Sequence, residues 1–408
     1  IISMNQFTGI IGIGALLGIA YLLSENKKAI NYRTILWGLG LQFVFALLIL
    51  KTPIGKPLFS YVDRIINRLI GFADKGSEFV FGSQAENIGF HPAFESVAFR
   101  LLPTIIFFSA LISILYHYGV IQFVVKIFSK LMQKTMRTSG AETLSVSANI
   151  FVGQTEAPLM IKPYVTGLTK SELVAVMIGG FATAAGGVLA IYAKWLDGIP
   201  GIAGHLMSAS VMSAPAALVI AKIIYPETEN VKSINTKINS NQNTVNAMDA
   251  LGTGTVVGLK LAVNVGAMLI SFISIIALLN YFLAILGFSI ESVLGLIFSP
   301  LAWTMGIPWD ESGLVGSLMG KKIVFTEFVA FSDLKLLIDN QQISEKAAII
   351  ASYALCGFAN FGSIGIQLGG IGGIAPERRK DIAQLISKAM IGGALASWLT
   401  ATLAGILL

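Results

Sequence analysis

The sequence predicts an all-α protein that crosses a membrane several times. Only 12% of its 408 residues are charged, 28 Lys and Arg against 22 Asp and Glu, which is about half the charged share of an ordinary soluble domain. Long uncharged runs separate these charges, and two shorter apolar segments are interrupted by polar residues. This composition excludes a disordered chain or a protein that coats nucleic acid, and it argues against a soluble enzyme.

Eight stretches have the length that a membrane-crossing helix needs, about 20 apolar residues. We predict spans at 4–23, 34–50, 101–120, 173–193, 205–224, 256–286, 345–371 and 383–408. The first stretch has no basic region before its apolar residues, so we expect a retained helix rather than a signal peptide. Residues 51–99 mix both charge signs and are predicted to be a loop outside the cytoplasm.

Basic residues are concentrated after the first, third and fifth spans and before the eighth. With eight crossings these four connections lie on one side, which the positive-inside rule makes cytoplasmic. Both termini are then predicted to lie outside the cytoplasm. Within 121–138, basic residues at helical spacing predict an amphipathic helix on the cytoplasmic surface, and the polar stretch 227–249 is predicted to be a cytoplasmic loop.

Residues 143–165 and 313–338 do not fit as full crossings. The first segment is interrupted between Gly153 and Pro158 and has basic residues near both ends. This pattern predicts a re-entrant hairpin whose tip sits at membrane depth. The second segment is centred on Glu327 and predicts a hairpin that enters from the opposite side.

The two hairpin regions share three short motifs in the same order. Thr155-Glu156, Ser171-Glu172 and Gly180-Phe181-Ala182 are matched by Thr326-Glu327, Ser344-Glu345 and Gly357-Phe358-Ala359. Three predicted spans separate the hairpins, so the second copy should be inverted, as in secondary transporters that hold substrate and ion at broken helices. We expect an N-terminal region at 1–138, a first repeat at 139–225, a loop and long helix at 226–300, and a second repeat at 301–408.

Glu156 and Glu327 are the informative acids, because a carboxylate inside a membrane is costly unless it is paired or functional. Capping of a hairpin tip is the structural alternative, and the two roles are compatible. Neutral polar side chains cluster at the same breaks: Asn149, Gln154, Thr155, Thr183, Asn360 and Ser363. None of these candidates is Lys or Arg, which favours a neutral, hydroxyl-rich solute over a phosphorylated one.

The glycines predict where two of the helices break or end. Near 183–187 we expect a helix break whose freed carbonyls bind Na⁺, and at 369–373 we expect the end of the seventh span. The sequence contains no P-loop, GxSxG or HExxH motif, which excludes a Walker-type ATPase and the corresponding hydrolases. The single cysteine, Cys356, excludes an internal disulfide.

The string Gly153-Gln154-Thr155-Glu156-Ala157-Pro158-Leu159 resembles the concentrative nucleoside transporter family. The resemblance covers essentially the whole chain and continues through Asn149–Val152, Asn264–Ile270, Glu327–Ala330 and Cys356–Ile364. It implies a sodium-coupled nucleoside symporter of the bacterial inner membrane, without an organic cofactor or a nucleic-acid partner. It also implies a homotrimer in the lipid bilayer, in which a transport domain moves against a scaffold.

The resemblance also assigns roles to residues of this sequence. It implies that the base meets Gln154, Thr155, Glu156 and Val188, that the ribose hydroxyls meet Glu327, Asn360 and Ser363, and that Phe358 contacts the ligand. For Na⁺ it implies Asn149, Thr183 and the carbonyls of Val152 and Ala184. The intact Thr155-Glu156-Ala157-Pro158 motif and the hydroxyl at 183 favour Na⁺. A proton-coupled nucleoside symporter and a channel for small polar solutes remain the alternatives.

Overall fold

The computed structural model describes residues 4–53, 55–82, 96, 98–99, 102–231 and 244–408. Within these ranges the chain consists of α-helices and short 3₁₀ segments without a strand, which confirms the predicted all-α class. The α-helices are α1 Met4–Leu22, α2 Tyr32–Lys51, α3 Gly55–Phe81, α4 Leu102–His117, α5 Val120–Met136, α6 Gly140–Ala148, α7 Lys170–Ala182, α8 Gly186–Trp195, α9 Ile202–Ile224, α10 Ala247–Ala284, α11 Ile290–Thr304, α12 Trp309–Val324, α13 Glu327–Asp339, α14 Glu345–Leu355, α15 Phe361–Ile374 and α16 Arg379–Leu407.

Helices occupy all eight predicted spans. In the described part of the chain, five segments are long and apolar enough to cross a bilayer: α2, α7 with α8, α9, α10 and the C-terminal segment Pro376–Leu407. Two sharply bent pairs, α4–α5 and α11–α12, raise that number to as many as seven. The chain is therefore a polytopic membrane protein, while the count of eight crossings stays a prediction.

The prediction of a loop at 51–99 is wrong over much of its length, because α3 fills Gly55–Phe81. Ile70, Ala73 and Ser77 are buried on one side of this helix, at the spacing of an amphipathic helix. Arg64 and Arg68 are exposed on the opposite side, and the charges along this helix explain why a search for uncharged runs overlooks it. The remainder of the predicted loop lies mainly at 83–95, outside the described residues.

Two further boundaries differ from the predictions. Helix α10 begins at Ala247, nine residues before the predicted span, and α11 forms where no helix was predicted. The helix expected within 121–138 forms as α5, which buries Ile121, Val125 and Met132, while its place on the cytoplasmic surface stays a prediction. Polar and apolar residues are mixed at the start of α10, so the apolar run alone does not show where the helix begins. The helix is therefore longer at this end than its apolar core.

Short helix pairs stand at both predicted hairpins. In hairpin 1, α6 packs against a 3₁₀ segment at Ala157–Gly167. Ser139 and Glu142 form a reciprocal cap at the start of α6. In hairpin 2, α12 packs against α13, whose first residue is Glu327. The depth of both tips in the membrane stays a prediction.

Two helices are broken next to the hairpins. The break between α7 and α8 covers Thr183 to Ala185, as the sequence predicts for 183–187, and α14 and α15 are separated by Cys356 to Asn360. Gly357 has a φ of +124°, and a Cβ there would lie 2.7 Å from the carbonyl oxygen of Ala182. The two breaks therefore touch each other, and only glycine fits at this contact.

The same order of elements occurs twice, as a hairpin, a broken helix and a long helix. The first set is α6 with its 3₁₀ partner, α7–α8 and α9, and the second is α12–α13, α14–α15 and α16. Helices α7, α9 and α16 pack together in the core. By contrast, α10 leaves large apolar side chains such as Ile270 and Phe282 exposed, a surface that a lipid or protein neighbour would cover.

Candidate functional site

A cavity of about 440 Å³ lies where both hairpins, both helix breaks and α10 meet. All eight residues that the resemblance assigns to the substrate line it: Gln154, Thr155, Glu156, Val188, Glu327, Phe358, Asn360 and Ser363. These residues come from segments far apart in the sequence. Their convergence on one space of a size typical for small-molecule sites is the central geometric finding.

Glu327 is the most tightly held acid of the cavity. It follows the helix cap Thr326 and is only 3% exposed. Its carboxylate accepts a hydrogen bond from Asn360 Nδ2 at 2.7 Å and another from Tyr192 OH at 3.2 Å. These two bonds leave further lone pairs of the carboxylate available for a ligand.

Tyr192 was not identified from the sequence. It is fully buried on α8, and its ring stacks on Phe331 with 4.0 Å between the ring centroids. The ring is therefore fixed, and its hydroxyl is aimed at Glu327. The sequence carries no sign of this contact, because Tyr192 sits in an apolar helix 135 positions before its partner.

Asn360 and Ser363 begin α15 at the second break. The Oδ1 atom of Asn360 accepts a hydrogen bond from Ser363 N at 2.8 Å, which caps the helix, while its Nδ2 atom donates to Glu327. Ser363 Oγ accepts a hydrogen bond from Gln154 Nε2 at 3.3 Å. One chain of contacts thus joins hairpin 1 to Glu327 in hairpin 2.

Glu156 differs from Glu327 because it is exposed to the cavity space. Its carboxylate folds back over the hairpin turn, where a Cβ at Gly153 would lie 2.1 Å from Glu156 Oε2. Any larger residue at 153 would displace this carboxylate. Glu156 also lines a second cavity of about 390 Å³, which shares Gly153, Ala185 and Val188 with the first and continues along α4.

The four residues assigned to Na⁺ lie at the tip of α6 and at the break after α7. The Asn149 side chain is 1% exposed and donates from Nδ2 to Ser145 O, but its Oδ1 has no hydrogen-bond partner among the described residues. Thr183 Oγ1 donates to Gly179 O and keeps its lone pairs. Gly186 N donates to Phe151 O at 3.1 Å, which joins the two segments.

This donor set fits a hard cation, which prefers neutral or anionic oxygens. The described residues include no group of three or more His, Cys, Asp or Glu that could bind a transition metal. An amide oxygen, a hydroxyl and the carbonyls of buried Val152 and Ala184 are all oxygens. The orphaned Asn149 Oδ1 is the observation that favours an ion here, since buried polar atoms are normally paired.

The motifs of the family resemblance include Asn264–Ile270, but no role was assigned from the sequence to the wall that α10 contributes. Asn264, Val265 and Met268 line the cavity from this helix, and Ile366 of α15 closes it from another side. Asn264 is also a polar residue in a long apolar run, which is a second sequence signal that could have indicated its role. Another space, of about 760 Å³ between α11, α12 and α13, contains none of the predicted residues.

Lys322 is a buried basic residue to which the sequence analysis assigned no role. It is fully buried on α12, and its Nζ donates to Ala354 O at 2.9 Å and to Ser397 Oγ at 2.8 Å. These contacts connect hairpin 2 to the end of α14 and to α16. Among the described residues, no Lys or Arg lines the 440 Å³ cavity, which agrees with the absence of a phosphate-binding set.

Known proteins resemble this chain over its full length. Three family models match: the N-terminus of a Na⁺-dependent nucleoside transporter at 11–84, a nucleoside recognition gate at 98–197, and the C-terminus of a Na⁺-dependent nucleoside transporter at 205–405. An uncharacterised transporter of Bacillus subtilis, YutK, is 44% identical over 98% of this chain and 99% of its own length. The rat sodium/nucleoside cotransporter 1 is 40% identical over 99% of this chain and 64% of its own length.

Solved structures agree with these relatives. CNTnw in an inward-facing, substrate-bound state matches with a TM-score of 0.92 and 39% identity, covering 99% of this chain and 98% of that one. A CNTnw variant in an outward-facing state matches with a TM-score of 0.91 and the same identity. The chain belongs to the Na⁺-dependent, concentrative nucleoside transporter family, and it is accordingly a membrane transporter and not an enzyme.

Proposed function

We propose that this chain is a Na⁺-coupled symporter that imports nucleosides by alternating access. The observation that carries the proposal is the convergence of all eight candidate residues on the 440 Å³ cavity. Within it, Glu327 is oriented by Asn360 and Tyr192. A fixed carboxylate beside neutral amides and hydroxyls suits a neutral solute that carries hydroxyl groups.

The ribose is proposed to bind at Glu327 and Ser363. Vicinal hydroxyls can donate two hydrogen bonds to one carboxylate, and bonds to a charged acceptor are the strong ones. Both polar atoms of the Asn360 amide already make hydrogen bonds within the protein. Its main role is therefore to orient Glu327. Its contribution to the ribose is therefore proposed to act through that carboxylate.

The base is proposed to lie against hairpin 1. Gln154 and Thr155 offer hydrogen-bonding groups there, and Glu156 offers a carboxylate. Val188 and Phe358 form apolar walls of the same cavity. A flat aromatic base has apolar faces and polar edges, and this division of the cavity matches it.

Sodium is proposed to bind Asn149, Thr183 and the carbonyls of Val152 and Ala184. Val152 precedes Gln154 by two residues, so an ion held there would order the hairpin tip that carries the base-binding side chains. Na⁺ and nucleoside would then raise each other's affinity by the same factor, as linkage requires. This coupling is the physical basis of the proposed symport.

The location and assembly are proposed from the sequence pattern and the relatives. We place the chain in the bacterial inner membrane with both termini outside the cytoplasm, as a homotrimer surrounded by lipid. The regions 1–138 and 226–300 would supply the scaffold, and the two repeats at 139–225 and 301–408 would supply the moving domain. The two facing states of CNTnw support a site that is exposed alternately to each side.

Uptake of labelled uridine into proteoliposomes tests this function, with the Na⁺ and H⁺ gradients varied independently. We expect accumulation above the external concentration that requires the Na⁺ gradient. Accumulation driven by the H⁺ gradient alone would refute sodium coupling. Entry that only equilibrates, whatever the gradients, would refute a symporter and favour a channel.

A further inference from the structure

Gln367 is a buried polar residue that the sequence analysis left without a role. It lies on α15, is fully buried, and does not line the 440 Å³ cavity. Its Nε2 atom donates to Met177 O at 3.1 Å and to Gln154 Oε1 at 3.0 Å. It therefore connects α7 to a side chain that does line the cavity.

The contact with Met177 determines which way both amides point. A main-chain carbonyl can only accept a hydrogen bond, so the Gln367 atom that faces it must be the nitrogen. The same nitrogen also donates to the Gln154 amide, so the Gln154 atom that accepts this hydrogen bond must be Oε1. The Nε2 of Gln154 is then directed to the opposite side, where it meets Ser363 Oγ at 3.3 Å at the wall of the cavity.

We propose that Gln367 is a positioning residue for base recognition: it holds the amide of Gln154 so that an N–H donor faces the nucleoside. The site then selects bases that present an acceptor at the edge next to Gln154, a carbonyl oxygen or a ring nitrogen. This inference rests on the proposed function, because it assumes that Gln154 meets the base. It adds the residue that determines the polarity of that contact.

Two observations argue against a role in packing alone. The Oε1 atom of Gln367 is buried and has no hydrogen-bond partner among the described residues. An apolar side chain of similar volume would fill the space without leaving that acceptor unsatisfied. In addition, a Cβ at Gly180 would lie 2.7 Å from Gln367 Nε2 and 3.0 Å from Gln154 Cβ, so α7 approaches the amide pair closely and limits its movement.

A double-mutant cycle tests the proposal with the full-length purified protein and equilibrium binding of uridine at saturating Na⁺. Gln154→Ala, Gln367→Met and the double variant are compared, since Met keeps the length of Gln367 and removes its donors. Each single change should weaken uridine binding by about five- to ten-fold, the effect of one lost hydrogen bond. The double variant should bind about as weakly as either single variant, because the second change has nothing further to remove.

A further readout separates positioning from general damage. The Na⁺ affinity measured without nucleoside should stay unchanged in Gln367→Met, because the hydrogen bonds of Gln367 go to Met177 and Gln154 and not to the proposed ion ligands. Losses that multiply in the double variant would overturn the proposal. A changed Na⁺ affinity in the nucleoside-free protein would overturn it too, since the effect would not then be confined to the base.

A second variant tests the donor directly and leaves Gln367 intact. Gln154→Glu keeps the shape of the side chain but presents only acceptors when ionised. We expect it to weaken uridine binding at least as much as Gln154→Ala. Retained affinity in Gln154→Glu would show that a hydrogen-bond acceptor at this position is sufficient to bind the base, and it would overturn the proposal. A native chain that binds no nucleoside would refute the proposed function itself, which is a distinguishable result.

Discussion

Replacement of Glu327 by Gln should reduce the protein's preference for ribose hydroxyls. In the native site the carboxylate accepts from Asn360 Nδ2 and Tyr192 OH. A Gln side chain can keep its oxygen toward Asn360 and turn its NH₂ toward the Tyr192 hydroxyl, because a hydroxyl can also accept. The local structure therefore survives, while the charge is lost.

The magnitude follows from the two bonds that the ribose would make. A hydrogen bond to a charged group contributes about 2 kcal/mol and a neutral one about 1 kcal/mol, so two bonds lose about 2 kcal/mol, or about 30-fold in Kd. We expect the Kd of uridine to rise by about this factor. The analogue 2′,3′-dideoxyuridine has neither hydroxyl and makes neither bond, so its Kd should change little.

The assay is equilibrium binding of both ligands to native and variant protein at fixed Na⁺ and pH. Glu156→Gln is the matched control, since it removes the same charge from the other hairpin, where we place the base. It should leave the ratio between uridine and its dideoxy analogue near the native value. If Glu327→Gln weakened both ligands equally, the assignment of Glu327 to the ribose would be wrong.

Other substitutions test the ion site, the orientation of Glu327 and the contact between the helix breaks. Asn149→Ala should raise the Na⁺ concentration for half-maximal uptake several-fold, whereas Ser147→Ala, whose hydroxyl bonds within its own helix, should not; an unchanged requirement would remove Asn149 from the ion site. Tyr192→Phe keeps the ring but loses one donor, so nucleoside Kd should rise about five-fold; unchanged binding would refute the orienting role. Gly357→Ala should lower the thermal melting temperature, because of its positive φ and close contact, while Gly373→Ala in open helical space should keep or raise it. Equal melting temperatures of the two glycine variants would contradict the contact between the breaks.

The sequence predicts the parts of this fold that are marked by missing charge or by interrupted apolar runs. The hairpins and the break after Thr183 fall where Gly, Pro and acidic residues interrupt hydrophobic segments. Helix α3 is not marked in this way, because its exposed face carries charges and no long uncharged run indicates it. An amphipathic helix is recognised by periodicity, and the search for uncharged runs does not measure periodicity.

The candidate site divides along a similar line. Glu156 and Glu327 stand out in the sequence because an acid in an apolar hairpin is unusual, and the family resemblance supplied Val188, Phe358 and the carbonyl ligands. Tyr192, Gln367 and Lys322 were not found, since their importance depends on contacts with distant segments. A lone tyrosine or glutamine in a helix has no distinctive pattern until the fold brings its partner near.

The central claim is that Na⁺ and nucleoside bind to one coupled site. The most direct measurement is the Kd of uridine with and without Na⁺ at fixed pH and ionic strength, together with the Na⁺ affinity with and without uridine. We expect each ligand to tighten the other by the same factor. A uridine Kd that is equal in the presence and absence of Na⁺ would contradict the account.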